Sequence, residues 1–120
     1  MSLVQKHLER LRGQTAWITG GKRIGRTVAY TLAEQGVNLV LSYRRSAAEA
    51  METASMAEKL GVRALTVQAD VSDRSSVAEA VEQVREVFPR IDILVNMASV
   101  YEPVGIDAAG EREWKENIDA

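Results

Sequence analysis

Seven residues, Thr19-Gly20-Gly21-Lys22-Arg23-Ile24-Gly25, separate a short apolar run from a run with helical periodicity. The run before them, Ala16-Trp17-Ile18-Thr19, has the composition of a buried strand, and the run after them sets Ile24, Val28, Leu32 and Ala33 on one helical face. The pattern is strand, glycine turn, helix. Gly20 and Gly21 permit left-handed backbone and let a ligand approach without a Cβ in the way, and Gly25 permits close packing of helix on sheet. The amides of the helix's first turn would then face an anion. Taken alone, a tight turn of no further consequence fits the same seven residues equally well.

The rest of the chain keeps this rhythm. Gly36 is a helix stop, and residues 37–43 form a second apolar strand. Ser46 and Glu49 have capping-box spacing and open a helix that runs to Leu60 and closes at Gly61. A third strand is predicted over 63–68, a third helix over 73–88 with Val77, Ala80, Val81, Val84 and Val87 inward, and a fourth strand over 91–96. After Val100 the periodicity fades into a loop at Glu102-Pro103 and Gly105, and residues 111–120 look like the start of a helix.

Strict alternation with short connections predicts an α/β fold: a Rossmann-type doubly wound parallel sheet, represented by its N-terminal portion of about four strands, with helices on both faces. Residues 1–14 read as an N-terminal extension and 15–120 as one nucleotide-binding domain, apparently truncated at its C-terminal end because the full pattern has about six strands. On that expectation the apolar fourth strand keeps an unpaired edge, and the piece alone self-associates or is marginally stable.

Composition excludes several function classes. The formal net charge of −2 and a hydrophobic fraction of 46% suit an ordinary globular domain and suggest neither a nucleic-acid nor a membrane partner. With no cysteine and one histidine, His7, there is no thiolate chemistry, no disulfide and no metal cluster. No stretch approaches the ~20 apolar residues of a membrane span, and a cytoplasmic protein is the expectation.

The end of the second strand carries the cofactor signal. An acidic residue there accepts from the ribose 2′-hydroxyl of NAD and repels the 2′-phosphate of NADP. This chain has Tyr43-Arg44-Arg45-Ser46, and Lys22 and Arg23 in the glycine loop complete a set of four cations and a serine suited to a phosphate. Between Gly25 and Glu49 the sole carboxylate is Glu34, inside the first helix. NADP(H) is therefore predicted over NAD(H), with a solvated basic loop as the plainer alternative. Asp70 is placed to accept from an adenine amino group while the Val71 amide donates to the ring; helix capping, which Ser72 or Asp73 performs equally well, is the other reading. Asn96, Ala98 and Ser99 end the fourth strand at the carboxyl edge where open sheets bind ligands, although Asn96 can instead tie two loops together.

These motifs, in this order, resemble the amino-terminal half of the short-chain dehydrogenase/reductase family from Gln14 to Ala120. Thr19-Gly20 through Gly25 stands for that family's Thr-Gly-x-x-x-Gly-x-Gly, one residue short and with Arg23 at the middle glycine. Asp70-Val71 matches next, and Asn96-Met97-Ala98-Ser99 stands for its Asn-Asn-Ala-Gly, with Met97 and Ser99 as departures. Lys22-Arg23-Ile24-Gly25 together with Tyr43-Arg44-Arg45-Ser46-Ala47-Ala48-Glu49-Ala50 looks most like the pteridine reductase branch, and 3-oxoacyl-acyl-carrier-protein reductases share much of it.

The resemblance implies an oxidoreductase that moves a hydride between NADP(H) and a carbonyl or imine of a small-molecule substrate, as a homo-oligomer, dimer or tetramer. It also implies a catalytic tyrosine followed four residues later by lysine. Tyr30, Tyr43 and Tyr101 have Glu34, Ala47 and Gly105 at that distance, so no catalytic residue is assigned in these 120 residues. A non-catalytic nucleotide-binding or regulatory Rossmann module is the competing reading.

Overall fold

The computed structural model describes residues 2–3, 9–20 and 23–97. Four strands, β1 (Thr15–Thr19), β2 (Asn38–Tyr43), β3 (Ala64–Gln68) and β4 (Ile93–Asn96), form one parallel sheet in the order β3-β2-β1-β4. Between them lie α1 (Arg23–Glu34), α2 (Ala47–Lys59) and α3 (Arg74–Val87). The expected α/β Rossmann-type arrangement is what the chain adopts. The observed strands begin one or two residues later than the apolar runs suggested for β2, β3 and β4, because Val37, Arg63 and Asp92 serve as entry residues.

Register sorts the side chains into two faces. Ala16, Leu39, Ala64 and Ile93 are aligned across the sheet, as are Ile18, Leu41, Thr66 and Val95. This face meets Ala29 and Ala33 of α1 and Ala54 and Ala57 of α2, and small helix residues let the helices settle close to the branched residues below. The opposite face aligns Trp17, Val40 and Leu65 and is packed by Ala80 and Val84 of α3 together with Phe88. Leu94 shares that face but is 67% exposed, so among the described residues nothing covers its end of the sheet.

Helix ends follow local chemistry with one exception. The Asp73 side chain accepts from the Ser75 amide at 2.9 Å and caps α3, which resolves the choice between Asp70 and its neighbours. The capping box expected at Ser46 and Glu49 does not form. Ser46 has ψ 55° rather than the extended value a capping serine adopts, and its hydroxyl makes no cap bond to α2.

At the amino edge of the sheet, Asp92 binds β4 to β1. Its carboxylate accepts from the buried Thr15 amide at 2.9 Å, its own amide donates to the Thr15 carbonyl at 2.9 Å, and Arg90 pairs with its other oxygen. Asp92→Ala leaves that buried amide without its acceptor and is expected to destabilise the fold by about 1–3 kcal/mol. Thermal unfolding of the variant measures this, and an unchanged midpoint would show that water replaces the carboxylate.

Candidate nucleotide-binding site

The carboxyl ends of all four parallel strands converge on one edge. β1 ends at Thr19, whose hydroxyl donates to Asn96 Oδ1 at 2.8 Å, while the Met97 amide donates to the Thr19 carbonyl at 2.9 Å. Thr19 and Asn96 are register partners on the same face, so the contact follows from the pleat. Asn96 therefore ties strand ends together, the second of the two roles read from its sequence. The Thr19 hydroxyl is a functional group that motif matching alone did not single out; the register of β1 on β4 is what reveals it.

Gly20 turns the chain away from the sheet at φ 67°, and its amide donates to the Ser42 carbonyl at 3.1 Å. Gly25, in the first turn of α1, is where a side chain is forbidden: a Cβ there would lie 2.9 Å from the Gly20 carbonyl oxygen. The helix thus starts against the end of β1, as its glycine suggested. Arg23 and Ile24 open α1, with their side chains outside the described part; Gly21, Lys22, Ala98 and Ser99 lie outside the described residues.

Beside this turn, Tyr43 ends β2 and is followed by the exposed Arg44 and Arg45. The Tyr43 carbonyl accepts from the Ala69 amide at 2.9 Å, and the Arg44 carbonyl accepts from Gln68 Nε2 at 3.3 Å, so the two loops are stapled together. Ser46 precedes α2 with its hydroxyl making no cap bond. Tyr43, Arg44, Arg45, Gln68, Asp70 and Ser76 are among the residues lining a pocket of about 620 Å³.

Asp70 is the most constrained ionisable group of the site. Its Oδ1 accepts from the Ser72 hydroxyl at 2.6 Å and the Ser72 amide at 3.0 Å, an Asx turn, and its amide donates to Ser76 Oγ at 2.8 Å. Its Oδ2 lies 3.8 Å from Arg44 Nε. Val71 occupies the turn between them, half-buried. The Ser72 hydroxyl and amide hold the Asp70 carboxyl below its ordinary range, Arg44 and Arg45 add to this, and partial desolvation opposes it. A lowered value in the fold means that its stabilisation is present above about pH 4 and lost as acid protonates it.

Between Gly25 and Glu49 the sole carboxylate is indeed Glu34, but Asp70 arrives from the end of the neighbouring strand, so Arg44 already has a partner. Gln68 and Ser76 have no site role in the sequence reading, and Ser72, read there as a candidate helix cap, instead closes an Asx turn on Asp70.

A parallel sheet with a glycine turn from its first strand into a helix, cations after its second and an aspartate after its third defines a dinucleotide-binding class. Residues 14–120 match the sequence profile of the short chain dehydrogenases. The chain belongs to that family. It is 43% identical over 95 residues to the uncharacterized oxidoreductase YhxC of Bacillus subtilis, covering 78% of this chain and 33% of that protein. It is 36% identical over 115 residues to an L-rhamnose 1-dehydrogenase (NADP(+)) of Thermoplasma acidophilum, covering 91% of this chain and 45% of that one. A crystal structure of a short chain dehydrogenase from Burkholderia cenocepacia in complex with NADP superimposes with a TM-score of 0.81 at 36% identity, over 92% of this chain and 45% of that chain. The chain thus spans a third to about a half of the length of these relatives. Among the described residues no helix is long and apolar enough to cross a membrane.

Proposed function

We propose that this chain, through residues 15–120, is the cofactor-binding part of an NADP(H)-dependent short-chain oxidoreductase acting on a carbonyl or imine. The observation that carries the reading is the Arg44-Arg45 pair at the carboxyl end of β2, lining a pocket with Asp70. The donor set suits an adenosine carrying a 2′-phosphate: guanidinium groups for the phosphate and a carboxylate oxygen for an exocyclic amine. Lys22, Arg23 and Ser46 are assigned to the same phosphate neighbourhood, and Gly21, Ile24, Val71, Ala98 and Ser99 to the wall of the cofactor site.

The cofactor, when bound, supplies or receives the hydride. What this chain contributes is binding and orientation. Arg44 and Arg45 neutralise negative charge at one end of the groove. Asn96, fixed by Thr19, and the Met97 amide, fixed by the Thr19 carbonyl, hold the far end of the strand edge in one conformation. The residues that donate or accept a proton at substrate are not among those assigned here, and the complete enzyme is proposed to be a cytoplasmic homo-oligomer.

Titration of the full protein with NADPH and NADH, read by nucleotide fluorescence, tests the reading. The expected result is tighter binding of NADPH by at least about tenfold, the factor one charge-assisted contact supplies. Equal affinity for the two nucleotides would overturn it. The non-catalytic alternative draws support from the lack of a Tyr-x-x-x-Lys pair in these 120 residues. Nucleotide binding without carbonyl-dependent NADPH oxidation by the full protein would favour it.

A further inference from the structure

We infer that Asp70 is a specificity-determining residue: its carboxylate holds Arg44 while the site is empty and gives it up to a 2′-phosphate, so the pair sets how strongly NADPH is preferred over NADH. The inference rests on the cofactor reading above and concerns how that site is tuned.

Three contacts make Asp70 a fixed counter-charge rather than a swinging one. Ser72 occupies Oδ1 through both its hydroxyl and its amide, and Ser76 fixes the Asp70 backbone. Only Oδ2 remains, and it faces Arg44 at 3.8 Å. Arg44 is limited from its own side, since Gln68 holds its carbonyl and the Tyr43 carbonyl is bonded to the Ala69 amide. These bonds hold the loop to the end of β3 and keep the Arg44 side chain next to Asp70 at the pocket rim.

The pair is made to be exchanged. The side chains are 51% and 35% exposed, and ion pairs this open to water contribute a factor of about five at most. A phosphate offers Arg44 shorter and stronger charge-assisted bonds. Arg44 therefore transfers from Oδ2 to the phosphate, which frees Oδ2 to accept from an amino group on the same ligand. With a nucleotide that lacks the phosphate, Arg44 stays on Asp70. The carboxylate opposes phosphate binding in two ways, by competing for Arg44 and by its own charge, and this holds the preference below what the two arginines alone would give.

Dissociation constants of NADPH and NADH for the full protein, for Asp70→Asn, for Arg44→Ala and for the double variant decide the matter. Contacts to the adenine are common to both nucleotides and cancel in the ratio of the two constants. Asn at 70 retains an oxygen for Ser72, so the turn is kept. The expected result is that Asp70→Asn raises the NADPH preference about two- to fivefold and that this gain shrinks in the Arg44→Ala background to the part due to the carboxylate's own charge. A ratio that is unchanged or lowered by Asp70→Asn, or a gain of equal size without Arg44, overturns the inference. A second measurement needs no variant at position 70: the Arg44 Nε–H resonance should shift on adding NADPH and stay in place with NADH, and equal shifts with both would overturn it. If the unaltered protein binds both nucleotides equally while Asp70→Asn favours NADPH, the cofactor reading fails and the exchange stands. Binding of neither nucleotide overturns both.

Discussion

Replacing Arg44 with aspartate is expected to weaken NADPH binding by about ten- to a hundredfold and to leave NADH binding within about a factor of two. A charge-assisted hydrogen bond is worth about 1.5–3 kcal/mol, and each 1.4 kcal/mol is a factor of ten in affinity. The substitution removes that bond and sets a second carboxylate beside Asp70, whose Oδ2 now lies 3.8 Å from the Arg44 guanidinium. Two adjacent carboxylates repel a phosphate dianion, whereas a ribose 2′-hydroxyl finds the acceptor that NAD-binding sheets place at this strand end. Parallel fluorescence titrations of the variant with NADPH and NADH measure the effect. A loss of the same size for both would mean that Arg44 acts through the staple between its carbonyl and Gln68, holding the loop, and that its charge is not what the cofactor reads.

The same pair of residues shows where sequence reasoning reached its limit. The alternation of strands and helices was legible because each parallel strand is a short apolar run and each helix buries a stripe of valine, leucine or alanine, signals that lie within a few residues of chain. Parallel pairing followed from that alternation and from the rules of parallel connection, whereas the order β3-β2-β1-β4 is seen only in the structure. Gly25 was legible for a similar reason: only glycine lets the start of α1 come to 2.9 Å from the Gly20 carbonyl oxygen, counted to the Cβ it lacks. Charge balance at the site was not legible. It depends on which strand ends are neighbours, and the carboxylate that answers Arg44 comes from the far end of β3, after a whole helix and strand. The Ser46 cap failed in the opposite direction, a correct local motif that the backbone does not use, since Ser46 sits at ψ 55° and its side chain makes no cap bond. Asp70 and Asp73, four residues of turn with two aspartates, could be separated only by seeing which carboxylate reaches the Ser75 amide.

The core beneath the site should be the most sensitive part of the fold. Ile18 is 1% exposed and packs with Ala29 and Ala33 of α1 and with Leu39 and Leu41 of β2, one residue before Thr19 and two before the turn at Gly20. Ile18→Ala removes three carbons from a region closed on both sides by helices and strands, and the expected loss is about 2–5 kcal/mol, a large part of the total stability of a domain this size. Ile18→Val, which keeps the branch, should cost about 0.5–1.5 kcal/mol. Calorimetric unfolding of both variants measures the series. Because the cavity lies under the strand and not in the nucleotide groove, the alanine variant should still bind NADPH when kept cold, and nucleotide at about a hundred times its dissociation constant should restore some 2.7 kcal/mol by mass action. Nucleotide-induced recovery absent from Ile18→Ala but present in the unaltered protein would show that the cavity displaces Thr19 and Gly20 themselves. In that case packing under β1 and the geometry of the glycine turn form a single cooperative unit, and the site cannot be loosened without unfolding the strand that carries it.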